Sequence, residues 1–259
     1  MLLTNPFLQA AIEAARAAEA VIRRHYARGV EVALKQDSSP VTIADIESER
    51  AIIDVLARAF PGHGFYGEET GRRNAQAEYV WLIDPIDGTK SFIRGTPFFS
   101  TQIALMHRGR LIAGVSNAFM FNELAYAAVG EGAWLNGASL KVSTVTALEE
   151  ATLSVGNVTA LAASPSWPAL GDLIDSINRF RGYGDFLHYH LLAAGKLDCV
   201  IETGLSILDM AALAVIVREA GGVFTDLAGR ELDINSKSVL AASTPQLHRL
   251  VLNRLKYSE

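Results

Sequence analysis

The chain has 259 residues and a net charge of −5, and half of it is hydrophobic and a fifth charged, which is the balance of an ordinary globular protein of one large domain or two intimate subdomains. The acidic balance argues against a general nucleic-acid surface, and the longest apolar run, Met210 to Val217, is far short of a bilayer span. The single cysteine, Cys199, rules out an internal disulfide and fits a reducing cytoplasm.

No early positive charge precedes the first apolar segment, and Pro6 and Glu13 interrupt it, so it does not read as a secretion signal. Phe7 to Arg28 instead predicts an Ala-rich amphipathic helix, with Leu8, Ile12, Ala15, Ile22 and Tyr26 on one side. Thr42 to Phe60 predicts a second helix, with Ile43, Ile46, Ile53, Leu56 and Phe60 inward and Pro61-Gly62 as its stop. Phe65-Tyr66 is a short strand, and Tyr79 to Ile83 a buried one that Pro85 should end. Strands follow at Thr101 to His107, Leu111 to Asn117 and Glu123 to Val129, the first two paired antiparallel across Arg108-Gly109-Arg110, and Leu140 to Ser143 reads as one more. After a connector near residues 145–150 the pattern alternates. Strands are expected at Thr152 to Val155, Leu197 to Glu202, Val223 to Thr225 and Ser238 to Ala242. Helices are expected at Trp167 to Asn178, Phe186 to Ala194, Asp209 to Ala220 and Pro245 to Leu255. The organisation is therefore an α+β N-terminal half, residues 1–147, and an α/β C-terminal half, residues 148–259.

The segment Trp81-Leu82-Ile83-Asp84-Pro85-Ile86-Asp87-Gly88-Thr89 carries most of the chemical information. A hydrophobic strand ends in Asp84, and Asp87 lies where a helix can begin at Gly88 and Thr89. Two carboxylates there suit a hard divalent cation, with a phosphate on the free amides of the helix start. The same residues are compatible with a capped turn that holds no metal.

Three further motifs accompany it in order: Asp37 with Val41-Thr42 and Asp45; Gly67-Glu68-Glu69; and Asp209-Met210-Ala211-Ala212 leading to Glu219-Ala220-Gly221-Gly222. Together they resemble the signature of the inositol monophosphatase-like family of Mg²⁺-dependent, Li⁺-sensitive phosphatases. Leu208 stands where that family has Trp, a change of packing that leaves the carboxylate. The resemblance implies a layered αβαβα sandwich, with the site between its halves, and two or three Mg²⁺ ions. It implies that Asp84 bridges two ions, that Glu68 serves one, and that Asp87 and Asp209 serve another, with the Ile86 carbonyl as a further ligand. It also implies that Thr89 orients the attacking water with Asp45 as its partner, that Glu68 polarises that water, and that the Gly88 and Thr89 amides face the phosphate. A homodimer is implied by analogy alone. Read by itself, Asp45 would be a solvated helix-face acid. The roles of Glu69, Lys35 and Lys90 stay open. His188 and His190 flank Tyr189 in a predicted helix, where positions i and i+2 do not share a face, so they read as structural or surface residues. Cys199 reads as inert core.

The metal motif does not choose the alcohol. Lys90-Ser91-Phe92-Ile93-Arg94-Gly95-Thr96-Pro97 and Arg181-Gly182-Tyr183-Gly184-Asp185 are similar to the histidinol-phosphate phosphatase branch. Carboxylates at Asp185 and Glu202 could pair with the cationic end of histidinol phosphate, whereas inositol offers only neutral hydroxyls. Asp185 could also simply cap the helix that follows. The favoured substrate is L-histidinol phosphate. Inositol 1-phosphate is the alternative, then a nucleotide 3′-phosphate or a range of sugar phosphates. A phosphatase-like binding protein, attached for example to transcription machinery, is the reading from another class. Loss of a metal carboxylate would favour it, and all four are present.

Overall fold

The structure, a computed structural model, describes residues 4–27, 32–34 and 40–257. Lys35 and Asp37 lie outside the described residues.

Helix α1 (Pro6–Tyr26) starts where Asn5 accepts the amide hydrogens of Phe7 and Leu8, with Pro6 in the first turn, where its missing N–H costs nothing. Strands β1 (Val32–Leu34) and β2 (Pro40–Thr42) pair antiparallel. Helix α2 (Ile43–Ala59) opens with a reciprocal cap: the Thr42 hydroxyl accepts from the backbone of Asp45, and the Asp45 carboxylate accepts from the backbone of Thr42, an arrangement worth about 1 kcal/mol. The inward face of α2 differs from the predicted one. Ile43 is 45% exposed, and the buried stripe includes Asp45, Ser48 and Glu49 beside Ile52 and Leu56. Acids on the core side of a helix must have partners there.

The first sheet takes β3 (Gly64–Gly67), β4 (Gly71–Arg73), β5 (Tyr79–Asp87), β6 (Ser100–His107), β7 (Arg110–Ala118), β8 (Glu123–Ala128), β9 (Ala133–Leu135) and β10 (Ala138–Ser139), in the order β10-β9-β8-β7-β6-β5-β3-β4. Two expectations are corrected here. Pro85 does not end its strand: pairing passes from Asp84–Gln102 to Asp87–Ser100, so β5 carries one extra residue in a bulge. Pro85 sits in that bulge, where no ladder donor is required of it. Leu140 to Ser143 is not a strand. The pairing falls earlier, in the β9–β10 hairpin across Asn136-Gly137, both left-handed, as a two-residue hairpin turn demands. The expected antiparallel β6–β7 pair is present, turning at Arg108 and Gly109.

The second sheet takes β11 (Thr152–Gly156), β12 (Arg179–Arg181), β13 (Cys199–Thr203), β14 (Val223–Thr225) and β15 (Ser238–Ala242), in the order β12-β11-β13-β15-β14. Its helices are α4 (Thr159–Ala162), α5 (Trp167–Asp175), α6 (Asp185–Ala193), α7 (Ile207–Glu219) and α8 (Pro245–Leu255), while the short α3 (Thr89–Ile93) follows β5. Helix α5 ends earlier than predicted, and Arg179 to Arg181 forms an exposed edge strand beside β11.

Alternation along the strands sorts the side chains into three cores. Trp81, Ile83, Ile103 and Leu105 pack with α1 and α2, while Leu82 and Ala104 face α6 and α7. Val200, Val239 and Ala241 cover the other side of α6 and α7, and Cys199, Ile201, Leu240 and Ala242 face α5 and α8. The layers therefore run α, β, α, β, α. Helix α7 is apolar all round because both sheets cover it. It comes close to Gly114 of β7, where a Cβ would lie 2.5 Å from the Ala212 carbonyl oxygen. Burial pushes the Cys199 thiol pKa up, as the inert-core reading requires. Among the described residues no helix is long and apolar enough to cross a membrane.

Candidate active site

A cavity of about 290 Å³ opens where the end of β5, the start of α6 and the start of α7 meet. Six carboxylates line it: Glu68, Asp84, Asp87, Asp185, Glu202 and Asp209. Asp84, buried at the end of β5, is oriented by the Ile86 amide, which donates to its Oδ1 at 3.0 Å. Past the bulge, Asp87 accepts a longer contact from the Ser100 hydroxyl, 3.4 Å. Gly88 then reverses the chain with φ +92°, and a side chain there would strike the Phe98 carbonyl at 2.6 Å. Only glycine meets both demands.

Glu68 stands exposed at the mouth, on the turn after β3. Its backbone N–H donates to the Ile83 carbonyl, which ties the turn to the strand bearing Asp84. Beneath it the buried Glu49 carboxylate accepts the Glu69 and Thr70 amides, each at 2.8 Å. Gly67 lacks a side chain because a Cβ would sit 2.4 Å from that carboxylate. The Gly67-Glu68-Glu69 motif thus presents one side chain to the cavity and one amide to Glu49. Asp209 arrives from the second half, held at the start of α7 by Ser206, whose backbone N–H and hydroxyl each donate to it at 2.8 Å.

These acids repel one another. Burial first, then the Glu68, Asp87 and Asp209 charges, raise the Asp84 pKa well above the usual carboxylate range. Burial and then Asp185, Asp209, Glu202 and Glu68 do the same to Asp87. Asp209 is raised to about 6, mainly by burial, although its Ser206 hydrogen bonds act the other way. Asp185 also reaches about 6, through burial and Glu202, with His188 opposing. A bound cation would offset this repulsion. The donors are all hard oxygens, the set that Mg²⁺ takes. His188 and His190 are committed elsewhere, so the site does not fit a soft-ligand transition metal.

A sequence model of the inositol monophosphatase family matches residues 4–258. The chain belongs to this family. Histidinol-phosphatase from Mycobacterium tuberculosis is 38% identical over 245 residues, covering 93% of this chain and 94% of the relative. Nus factor SuhB from Pasteurella multocida is 36% identical over 259 residues, covering 97% and 96%. Among solved structures, extragenic suppressor protein suhB from Bartonella henselae superposes with a TM-score of 0.89 at 30% identity, covering 98% of this chain and all of that one. An IMPase from Thermotoga maritima gives 0.85 at 30% identity, covering 96% of each. This inositol monophosphatase family member is a phosphoric monoester hydrolase of the αβαβα architecture, and its family is generally Mg²⁺-dependent.

In this phosphatase the cavity gathers Glu68, Asp84, Ile86, Asp87, Gly88, Thr89, Asp185, Glu202 and Asp209. Asp45 is not among its lining residues. It is wholly buried, which corrects the reading of a solvated acid, and its Oδ2 accepts from the Thr42 hydroxyl. The Thr89 hydroxyl donates to the Ile86 carbonyl at 3.1 Å. Asp185 is not a helix cap: Gly184 holds that position, and Asp185 itself carries φ +49°, uncommon for a non-glycine. His188 and His190 are both buried, so neither is a surface residue. They point apart, His188 to Glu202 and His190 to Glu123 and Ser116. Lys90 and Ser91 line the cavity, Lys90 exposed at its edge.

The sequence reading missed Tyr189, Asn157 and Glu49. Tyr189 lines the cavity and donates its hydroxyl to Glu202 at 2.7 Å. Its spacing of four from Asp185 on one helix was the available signal. Asn157 also lines the cavity with φ +43°, and Gly156-Asn157 after a strand is a turn signature. Glu49 lies four residues after Asp45, on the same helical stripe.

Proposed function

We propose that this enzyme hydrolyses L-histidinol phosphate to L-histidinol and phosphate. Six carboxylates in one cavity carry the reading, because four of them already match the family's metal motif. Asp84, Asp87, Asp209, Glu68 and the Ile86 carbonyl would hold two or three Mg²⁺ ions. Bound there, Mg²⁺ supplies charge neutralisation for the phosphoryl oxygens and a lowered pKa for water. Glu68 and Thr89 would orient the attacking water, whose oxygen forms the new P–O bond and gives up a proton as the ester P–O bond breaks and the alcohol oxygen takes one up. The Gly88 and Thr89 amides receive phosphate oxygens. Asp45 enters as the partner of Thr89, which would exchange the Ile86 carbonyl for it.

The remaining acids, Asp185 and Glu202, are left for the alcohol. A cationic amine and imidazole gain from that pair, and a neutral polyol does not. The name of the Mycobacterium relative agrees with this choice. The Thermotoga neighbour, an IMPase, supports the alternative of inositol 1-phosphate, and a nucleotide 3′-phosphate or a range of sugar phosphates follows. The relatives named Nus factor SuhB keep a binding role in view beside the hydrolase. The reading includes no nucleic-acid or membrane partner, a cytoplasmic location and a homodimer. Steady-state kinetics on histidinol phosphate and inositol 1-phosphate, with Mg²⁺ and with EDTA, test it. A higher kcat/KM for inositol 1-phosphate refutes the substrate, and EDTA-resistant turnover refutes the metal.

A further inference from the structure

We infer that Tyr183, Ser154 and His188 form a buried hydrogen-bond relay that ends on Glu202, and that His188 is the positioning residue through which this phosphatase recognises its leaving group. The inference rests on Asp185 and Glu202 being the leaving-group end of the cavity.

The relay is continuous from the loop to the carboxylate. The Tyr183 amide donates to the Ser154 hydroxyl oxygen at 3.1 Å. The same hydroxyl oxygen lies 3.4 Å from His188 Nδ1. Across the ring, Nε2 donates to Glu202 Oε2 at 2.9 Å, since a carboxylate oxygen accepts. The Tyr189 hydroxyl donates to the same oxygen at 2.7 Å. Ser154, His188, Tyr189 and Glu202 are each at most 2% exposed, so solvent does not substitute for any link.

These contacts fix position. His188 Nε2 and the Tyr189 hydroxyl meet on one oxygen of Glu202 and fix where its carboxylate lies. Oε2 is occupied twice, which leaves Oε1 as the oxygen with capacity for a ligand. Oε1 points along Gly156, where a Cβ would lie 2.4 Å from it and 3.2 Å from the His188 ring. The missing side chain at 156 is what lets imidazole and carboxylate meet. The other end of the relay holds Tyr183, two residues before Asp185, in the loop that gives Asp185 its left-handed backbone. One chain of hydrogen bonds therefore holds both acids of the proposed leaving-group end. The metal-side acids Asp84 and Asp209 are fixed separately, by Ile86 and Ser206.

Variants of the full-length enzyme with Mg²⁺ test this with two substrates, histidinol phosphate and p-nitrophenyl phosphate, which lacks the amine. His188→Ala removes one of two donors to a buried carboxylate. It is expected to raise KM for histidinol phosphate about tenfold, with a smaller change in kcat and a smaller loss on p-nitrophenyl phosphate. His188→Gln places an amide N–H near Nε2 and should restore most of the loss. Ser154→Ala cuts the relay one step earlier and should raise KM about threefold. Thermal melts identify any variant that fails to fold, and Ser154→Ala then decides. Equal losses on both substrates, no rescue by Gln, or a wild-type KM for Ser154→Ala overturns the relay. If the wild type prefers inositol 1-phosphate, the histidinol reading fails, but the relay still predicts the same KM pattern on that ester.

Discussion

Gly114→Ala should move Asp209, a proposed metal ligand, without itself lining the cavity. Gly114 lies on β7 under α7, and its Cβ would come within 2.5 Å of the Ala212 carbonyl oxygen, 2.8 Å of its Cα and 3.0 Å of its carbonyl carbon. All three are backbone atoms, so no rotamer change relieves the contact. Restoring an ordinary separation of 3.4 Å requires the helix to lift by about 0.9 Å. Asp209 is one helical turn away and rides on that helix. Overpacking of this kind costs about 1–3 kcal/mol, seen as a fall of several degrees in Tm. A displacement near 1 Å at a reacting group costs on the order of a hundredfold in rate. The assay is kcat and the Mg²⁺ concentration at half-maximal activity, measured well below the Tm. A lowered Tm together with wild-type kcat and wild-type Mg²⁺ dependence would show that Gly114 does not set the position of Asp209. Gly171→Ala is the control. It lies in exposed helix with nothing within 4 Å of the added Cβ, and should raise stability by about 0.5–1 kcal/mol.

The raised carboxylate pKa values give a pH dependence with a definite sign. Asp84, Asp87, Asp185 and Asp209 hold protons more tightly folded than unfolded, so their contribution to metal-free stability falls as pH rises from about 4 through 6 and beyond. The Tm difference between Mg²⁺ and EDTA samples should therefore widen over that interval, and a constant difference would refute the account. Asp84→Asn removes one charge from the cluster, so it should raise the metal-free Tm while abolishing hydrolysis; residual activity near wild type would show that Asp84 holds no metal. Asp185→Ser should weaken histidinol phosphate by about 1–2 kcal/mol, mostly through KM, and p-nitrophenyl phosphate far less; equal losses would remove Asp185 from substrate recognition. Millimolar Li⁺ should inhibit, as a small hard cation entering an oxygen site, and inhibition no greater than with matched NaCl would sink that expectation.

The layered fold was legible wherever a local period decided the structure. The strands of the first sheet alternate between two cores, and the Met210 to Val217 run is apolar all round because two sheets cover it. The carboxylates were legible because each sits at the end of an element, in a short motif. What was hidden depends on partners distant in sequence. Nothing near Pro85 announces that Ser100 will resume pairing beyond it. Nothing in α2 says that Glu49 will meet the Glu69 amide, although an acid four residues from Asp45 on one stripe was a hint. His188 and His190 looked alike in the sequence, and only the arrival of Glu202 on one side and of Glu123 and Ser116 on the other separates them.

Helix α7 is clasped by both sheets, and that has a consequence during synthesis. Glu68, Asp84 and Asp87 leave the ribosome on one sheet, long before Asp209. The second sheet cannot close until β15, which pairs with both β13 and β14, has been made. A nascent first half therefore carries three of the acids with nothing to complete their cavity. It should neither hold the cation firmly nor turn over substrate. Activity should switch on in one step, when the last strand slots between its neighbours and the central helix is pressed into place.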